Sequence, residues 1–176
     1  MNILETPRLV LRRMTQADCP ALAEILQDER TMVAYEGAFS DAETQAWLDK
    51  QLLRYQMDGF GFWAVVLKES GKMIGQAGIT WQDVENKRIP EIGYLLNRAC
   101  WGHGYAAEAA AACKQYAFET LGFDEIYSLI RDTNIASMNV AIRNEMLVRG
   151  RFIKPYRGVE MLHYIFSARR KRSGSC

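Results

Sequence analysis

The stretch WGHGYAAEA at residues 101–109 decides the fold, because it joins a strand-like segment to a helix through a loop with two glycines. Residues 89–96 before the loop are apolar and typical of a strand, and an alanine-rich helical pattern follows it. Gly102 and Gly104 let the backbone turn tightly because neither has a Cβ atom. A helix begins with unpaired N–H groups and the positive end of its dipole. The segment therefore predicts an anion site whose natural ligands are phosphate or pyrophosphate groups.

Outward from this loop, hydrophobic periodicity predicts the order β-α-α-β-β-β-α-β-α-β-β. The predicted strands span residues 8–13, 60–67, 73–81, 89–96, 126–130, 148–153 and 159–168, and the predicted helices span 15–26, 40–56, 105–121 and 134–144. A hairpin-built sheet that continues into a β-loop-α-β unit favours a single α/β (α+β) domain with a mixed central sheet of about seven strands and flanking helices. We expect this domain to cover residues 1–168 and a basic, solvent-exposed tail to cover residues 169–176.

Composition excludes several classes of protein. The chain has 176 residues, of which 49% are hydrophobic and 24% charged, and its net charge of +1 does not favour nucleic acid or an anionic membrane. No apolar run approaches the roughly 20 residues that span a bilayer, and the N-terminus lacks a secretory pattern. Four scattered cysteines and two distant histidines predict reduced thiols, a cytoplasmic protein and no metal site.

Three sequence motifs, taken together, are specific for one protein family. The chain has T-x-R-L-x-L-R at residues 6–12, W-G-x-G-Y-A-x-E-A at residues 101–109 and N-I-A-S at residues 134–137. With this order and spacing, nearly the whole chain resembles the GNAT (general N-acetyltransferase) superfamily, in particular its ribosomal-protein N-acetyltransferase-like (Rim-type) branch. The resemblance implies acetyl-CoA as co-substrate and central parallel strands that splay apart to admit its pantetheine arm.

The resemblance also implies which residues bind the cofactor. The loop amides are expected to hold the pyrophosphate, a strand N–H near Tyr94 or Leu95 to face the thioester carbonyl, and Asn134 to bond the pantetheine amides or to cap its helix. The complete implied set is Tyr94, Leu95, Trp101, Gly102, His103, Gly104, Tyr105, Ala106, Asn134 and Ser137. Glu108 is expected to be a helix-surface carboxylate without a catalytic role.

Two residues are candidates for proton transfer. Glu91 occupies the strand position at which several GNAT enzymes keep a general base, and it is expected to act directly or through a water, or else to be a charge at the rim. The tyrosine that many members use as an acid is replaced by Ala141. Ser137 matches the serine of the Rim-type branch and is expected to bond the cofactor sulfur or to cap the helix.

Two further positions depart from the family pattern. Ala99 replaces a basic or amide residue at the start of the loop, and Glu145 replaces the glycine that usually ends the helix before the last hairpin. A glutamate in the left-handed backbone conformation costs about 1 kcal/mol, so the backbone at this position is free to differ from that of the family.

The resemblance implies an acetyl-CoA-dependent N-acetyltransferase that acts by direct transfer in a ternary complex, as a monomer or homodimer. Its acceptor is expected to be a primary amine, on a protein or peptide N-terminus or on a small molecule. The alternative is a non-catalytic acyl-CoA-binding module that regulates or docks a partner.

Overall fold

In the computed structural model, which describes residues 2–171, eight strands form one mixed sheet. The strands are β1 (Asn2–Glu5), β2 (Leu9–Arg12), β3 (Phe62–Leu67), β4 (Met73–Val84), β5 (Lys87–Leu96), β6 (Glu125–Arg131), β7 (Leu147–Tyr156) and β8 (Val159–Arg169). The helices are α1 (Cys19–Leu26), α2 (Asp41–Met57), α3 (Tyr105–Glu119) and α4 (Ile135–Arg143). The sheet order is β1-β2-β3-β4-β5-β6-β8-β7, and among these described strands only β5 and β6 are parallel neighbours.

The predicted α/β fold with a mixed sheet is confirmed, and the sheet has eight strands where the sequence predicts about seven. The missed strand is β1, whose four residues pair with β2 in an arrangement that includes Leu4 opposite Leu11. A segment so short shows little alternation in sequence. At the other end, β8 runs through Arg169, the residue at which the predicted tail begins, and residues 172–176 lie outside the described residues.

The helices cover both faces of the sheet. Successive strand residues point to opposite faces, and in β3 the side chains of Trp63 and Val65 join one buried cluster while those of Phe62 and Ala64 join another. The first cluster includes the alanine-rich side of α3, and the second includes Leu22 of α1 and neighbouring side chains of α2. No helix within residues 2–171 is long and apolar enough to cross a bilayer.

The sheet opens between β5 and β6. Strand β5 pairs with β4 along its whole length, from Lys87 opposite Val84 to Leu96 opposite Gly75. With β6 it shares a single paired position, Glu91 opposite Tyr127. The two parallel strands therefore diverge beyond Glu91, as the resemblance implied. The loop that follows β5 lies at the carboxyl end of this opening, where ligands of open α/β sheets bind.

Glu145 keeps the left-handed conformation that its family position demands, with φ +60°. Replacing Glu145 with glycine should raise the free energy of unfolding by about 1 kcal/mol, because glycine adopts this conformation without steric cost. For a chain of this size, thermal denaturation should show an increase in Tm of roughly 2–4 °C.

A suitable control is Glu145→Ala, which removes the carboxylate that lies 3.9 Å from Lys114 Nζ but keeps a Cβ atom. The alanine variant should not share the gain. A glycine variant no more stable than the alanine variant would show that the backbone is not strained there.

Candidate active site

The glycine loop presents a row of free N–H groups. Gly102 and Gly104 have φ +77° and +80°, and α3 begins at Tyr105 without a side chain that caps its N-terminus. The first N–H of the helix to find a main-chain partner is that of Glu108, which donates to the Gly104 carbonyl at 3.0 Å. Among residues 2–171, the N–H groups of residues 102–107 have no acceptor. Six consecutive donors at a helix N-terminus suit a diphosphate.

Glu108 anchors this loop to the N-terminal part of the chain, a role that the sequence analysis missed. Thr6 Oγ1 donates to Glu108 Oε1 at 2.6 Å, and Arg8 Nε donates to Glu108 Oε2 at 2.6 Å. Arg8 Nη1 also donates to the His103 carbonyl at 2.9 Å, and its guanidinium lies 4.5 Å above the Tyr105 ring. Burial alone would raise the pKa of Glu108, but the bonds from Thr6 and Arg8 hold it below its ordinary value. Glu108 is therefore a charged tether rather than a free surface carboxylate.

The aromatic residues of the loop are held locally. Trp101 Nε1 donates to the Leu96 carbonyl at 2.9 Å, which joins the loop to the end of β5. The His103 ring stacks on Tyr105 with centroids 5.6 Å apart, and His103 Nδ1 lies 2.8 Å from the Trp101 carbonyl oxygen. His103 is exposed, so its contacts stiffen the loop from the solvent side.

The direction of the β5 backbone distinguishes Tyr94 from Leu95. Asn97 N donates to Ile74 O of β4 at 2.7 Å. The backbone N–H and C=O groups of successive residues in a strand point alternately to its two neighbouring strands. Leu95 N–H therefore faces β4, whereas Tyr94 N–H faces the opening toward β6. The Ile92 carbonyl shares the direction of Tyr94 and accepts a 2.8 Å bond from Ser128 Oγ of β6. Of the two predicted N–H groups, the one of Tyr94 is directed at the gap.

The Tyr94 side chain links β5 to α4. Its hydroxyl donates to the Ser137 carbonyl at 2.7 Å, and burial raises its pKa. Ser137 N donates in turn to Asn134 Oδ1 at 3.1 Å, so Asn134 caps α4 with its oxygen, and its amide NH₂ has no acceptor among residues 2–171. The structure thus brings Tyr94, Asn134 and Ser137 together beside the opening.

Glu91 lies where β5 and β6 part. Its Oε1 accepts a 3.2 Å bond from Leu129 N of β6. Burial raises the pKa of Glu91 to about 7, against the opposing effects of Lys154, of the Leu129 N–H and of Arg54. Glu91 and Tyr94 are three residues apart and point to opposite faces of the strand. The carboxyl therefore approaches the gap from the α1–α2 side, while Ser137 lies on the α3–α4 side.

The sequence of the chain also matches the model of a protein family. The model of the acetyltransferase (GNAT) domain matches residues 8–146. The chain belongs to the GNAT acetyltransferase family. As a GNAT acetyltransferase it is an acyltransferase, and its sheet with diverging β5 and β6 is the GNAT fold.

Relatives extend the comparison. The chain is 37% identical over 139 residues to the uncharacterized protein YkkB of Bacillus subtilis, with 78% of this chain and 81% of that protein covered. An acetyltransferase from Agrobacterium tumefaciens has a similar structure, with TM-score 0.80, 29% identity and coverage of 97% and 95%. The ribosomal L7/L12 alpha-N-protein acetyltransferase RimL, solved in complex with coenzyme A, shares the fold at TM-score 0.78, 19% identity and coverage of 96% and 98%.

Proposed function

We propose that this GNAT protein is an N-acetyltransferase that moves an acetyl group from acetyl-CoA directly to a primary amine in a ternary complex. The observation that carries the proposal is the row of N–H groups over residues 102–107, which have no acceptor in the described part of the chain and lie at the mouth of the gap between β5 and β6. The residues present fit the cofactor, because these donors match a diphosphate and the gap offers strand N–H groups to its arm. Acetyl-CoA, when bound, supplies the thioester and the thiol leaving group.

In this proposal, four residues of the chain carry out the remaining steps of the reaction. The carboxylate of Glu91, or a water that it orders, removes a proton from the incoming ammonium, and its raised pKa suits that task near neutral pH. The Tyr94 N–H stabilises the charge that develops on the attacked carbonyl oxygen. The Asn134 amide donates to the arm of the cofactor. Ser137 Oγ gives a proton to the departing sulfur.

Within residues 2–171, Cys113 is the buried cysteine, and it does not suit a covalent route. Burial raises the pKa of Cys113, which disfavours the thiolate. Cys19, Cys100 and Cys113 are free thiols, which supports a cytoplasmic location within the proposal. Direct transfer is therefore the route we propose.

The substitution Ser137→Ala tests whether Ser137 is the general acid. We expect kcat to fall by about tenfold to a hundredfold while the Kd of acetyl-CoA changes little, because the hydroxyl acts on the leaving group rather than on binding. Steady-state kinetics and calorimetric titration measure the two quantities. Ser70→Ala, in the turn between β3 and β4, is the control. Equal turnover of wild type and Ser137→Ala at every pH would exclude Ser137 as the acid.

The proposed activity itself is tested by thiol release from acetyl-CoA with a panel of peptides, amino acids and other small amines. We expect release that depends on the amine, together with an acetylated amine in the mass spectrum. Binding of acetyl-CoA without turnover of any amine would instead identify a non-catalytic acyl-CoA-binding module.

A further inference from the structure

The direction of an N–H group in the glycine loop is set by the carbonyl of the same peptide unit. A trans peptide unit is planar, and its C=O and N–H bonds point in opposite directions. A partner that holds the Trp101 carbonyl on one side therefore directs the Gly102 N–H to the other side. The His103 carbonyl and the Gly104 N–H are related in the same way. Side chains hold both of these carbonyls.

Arg8 holds the carbonyl of His103. Its Nη1 donates to the His103 carbonyl at 2.9 Å, while its Nε donates to Glu108 Oε2 at 2.6 Å. The Arg8 guanidinium also lies 4.5 Å from the centroid of the Tyr105 ring. Glu108 and Tyr105 belong to the first turn of α3, so the side chain that holds the carbonyl is itself fixed to this helix. The Gly104 N–H therefore points away from Arg8.

The His103 side chain holds the carbonyl of Trp101. His103 Nδ1 lies 2.8 Å from the Trp101 carbonyl oxygen. A carbonyl has no proton to give, so the proton of this bond is on Nδ1. The imidazole is kept in place by stacking on Tyr105, with 10° between the two ring planes. The Gly102 N–H therefore points away from the imidazole.

These contacts matter because glycine leaves the two peptide units free to rotate. Gly102 and Gly104 have φ +77° and +80°, and glycine adopts both signs of φ about equally well. A half-turn of the preceding peptide unit is therefore accessible, as it is between β-turns of types I and II. After such a half-turn a carbonyl oxygen would stand where an N–H group had been. It would repel a diphosphate instead of binding it.

We propose that Arg8 and His103 are positioning residues for the cofactor, which hold the carbonyls of Trp101 and His103 so that the Gly102 and Gly104 N–H groups are directed at the diphosphate before acetyl-CoA binds. The inference rests on the proposed function, because it concerns the cofactor site of that proposal. Neither side chain needs to touch the cofactor for this role. Donors that are fixed in advance increase affinity, since binding does not have to order them.

Two dissociation constants of the full-length protein test the inference: the Kd of coenzyme A and the Kd of pantetheine, which lacks the diphosphate. Their ratio isolates the diphosphate site, because a general loss of folded protein changes both. Arg8→Lys keeps the positive charge but lacks the planar fork that reaches Glu108 and the His103 carbonyl together. We expect it to lower the preference for coenzyme A by at least about tenfold while the Kd of pantetheine stays the same.

His103→Phe tests the other carbonyl. Phenylalanine can stack on Tyr105 as the imidazole does, but it has no N–H group to donate to Trp101. This variant should lower the preference for coenzyme A by about twofold to tenfold, the range for one neutral hydrogen bond. The Kd of pantetheine should again stay the same.

Arg12→Lys is the matched control. The Arg12 guanidinium bonds both carboxylate oxygens of Asp18, at 2.9 and 2.7 Å, so this variant disrupts a comparable pair at the start of α1 rather than α3. It should lower Tm but leave the preference for coenzyme A unchanged. A test variant that keeps the wild-type preference overturns the inference for its residue and leaves the proposed function intact. Wild-type protein that binds coenzyme A no more tightly than pantetheine would overturn both.

Discussion

Replacing Glu91 with glutamine should lower kcat by about two to four orders of magnitude, the usual contribution of a general base. Wild-type activity should rise with pH through about 7 and then level, because Glu91 acts only when it is ionised and burial raises its pKa to about 7. The variant should lack this ascending limb. Rates measured from pH 5.5 to 9 with Glu91→Gln, and with the exposed Glu160→Gln as control, test both expectations.

The same variant should be more stable than wild type at alkaline pH. A carboxyl whose pKa is raised on folding contributes stability below its unfolded value of 4.5, and this contribution is lost as pH rises through about 7. At pH 8 the gain of Glu91→Gln is on the order of 2–3 kcal/mol, whereas at pH 4.5 it should vanish. Denaturant unfolding at the two pH values measures the difference. A variant that is slower but equally stable at both would show that Glu91 is not held in a desolvated site.

Replacing Gly104 with valine should weaken acetyl-CoA binding roughly a hundredfold. Gly104 has φ +80°, which a β-branched residue adopts only with backbone strain. The loop N–H groups would therefore shift. A hundredfold change is about 2.8 kcal/mol, which corresponds to the loss of one bond to a charged oxygen, at about 1.5–3 kcal/mol. Calorimetric titration with acetyl-CoA measures it.

Gly122, just past the other end of α3, offers a matched control. It has φ +73°, and an added Cβ atom would meet nothing within 4 Å. Gly122→Val thus introduces similar backbone strain away from the loop. It should reduce stability but not cofactor affinity. Equal affinity of the Gly104 and Gly122 variants for acetyl-CoA would show that the loop is not part of the cofactor site.

The local structure of the candidate site could be predicted because the sequence signals for its loop and helix are local. The glycines that start α3 and the periodic alanines within it determine the loop and the helix from neighbouring residues alone. Ser40 and Glu43 likewise form the capping box that starts α2, with Glu43 N donating to Ser40 Oγ at 3.2 Å. Such short-range geometry follows directly from sequence.

The features that were missed depend on contacts distant in sequence. Arg8 and Glu108 are separated by a hundred positions, and each alone is typical of an exposed surface residue. Arg157 pairs with Glu43 only because the last hairpin lies against α2. In retrospect, the joint presence of Thr6, Arg8 and Glu108 in two motifs was a signal of their pairing.

The central claim is that the main-chain N–H groups of residues 102–107 bind the diphosphate of the cofactor. Amide chemical shifts of the ¹⁵N-labelled protein test it most directly, through titration with coenzyme A and separately with pantetheine, which lacks the diphosphate. The account predicts large chemical-shift changes of the Gly102, Gly104 and Ala106 amides with coenzyme A but not with pantetheine. Equal shifts with both ligands, or no shifts in this loop at saturation, would contradict it.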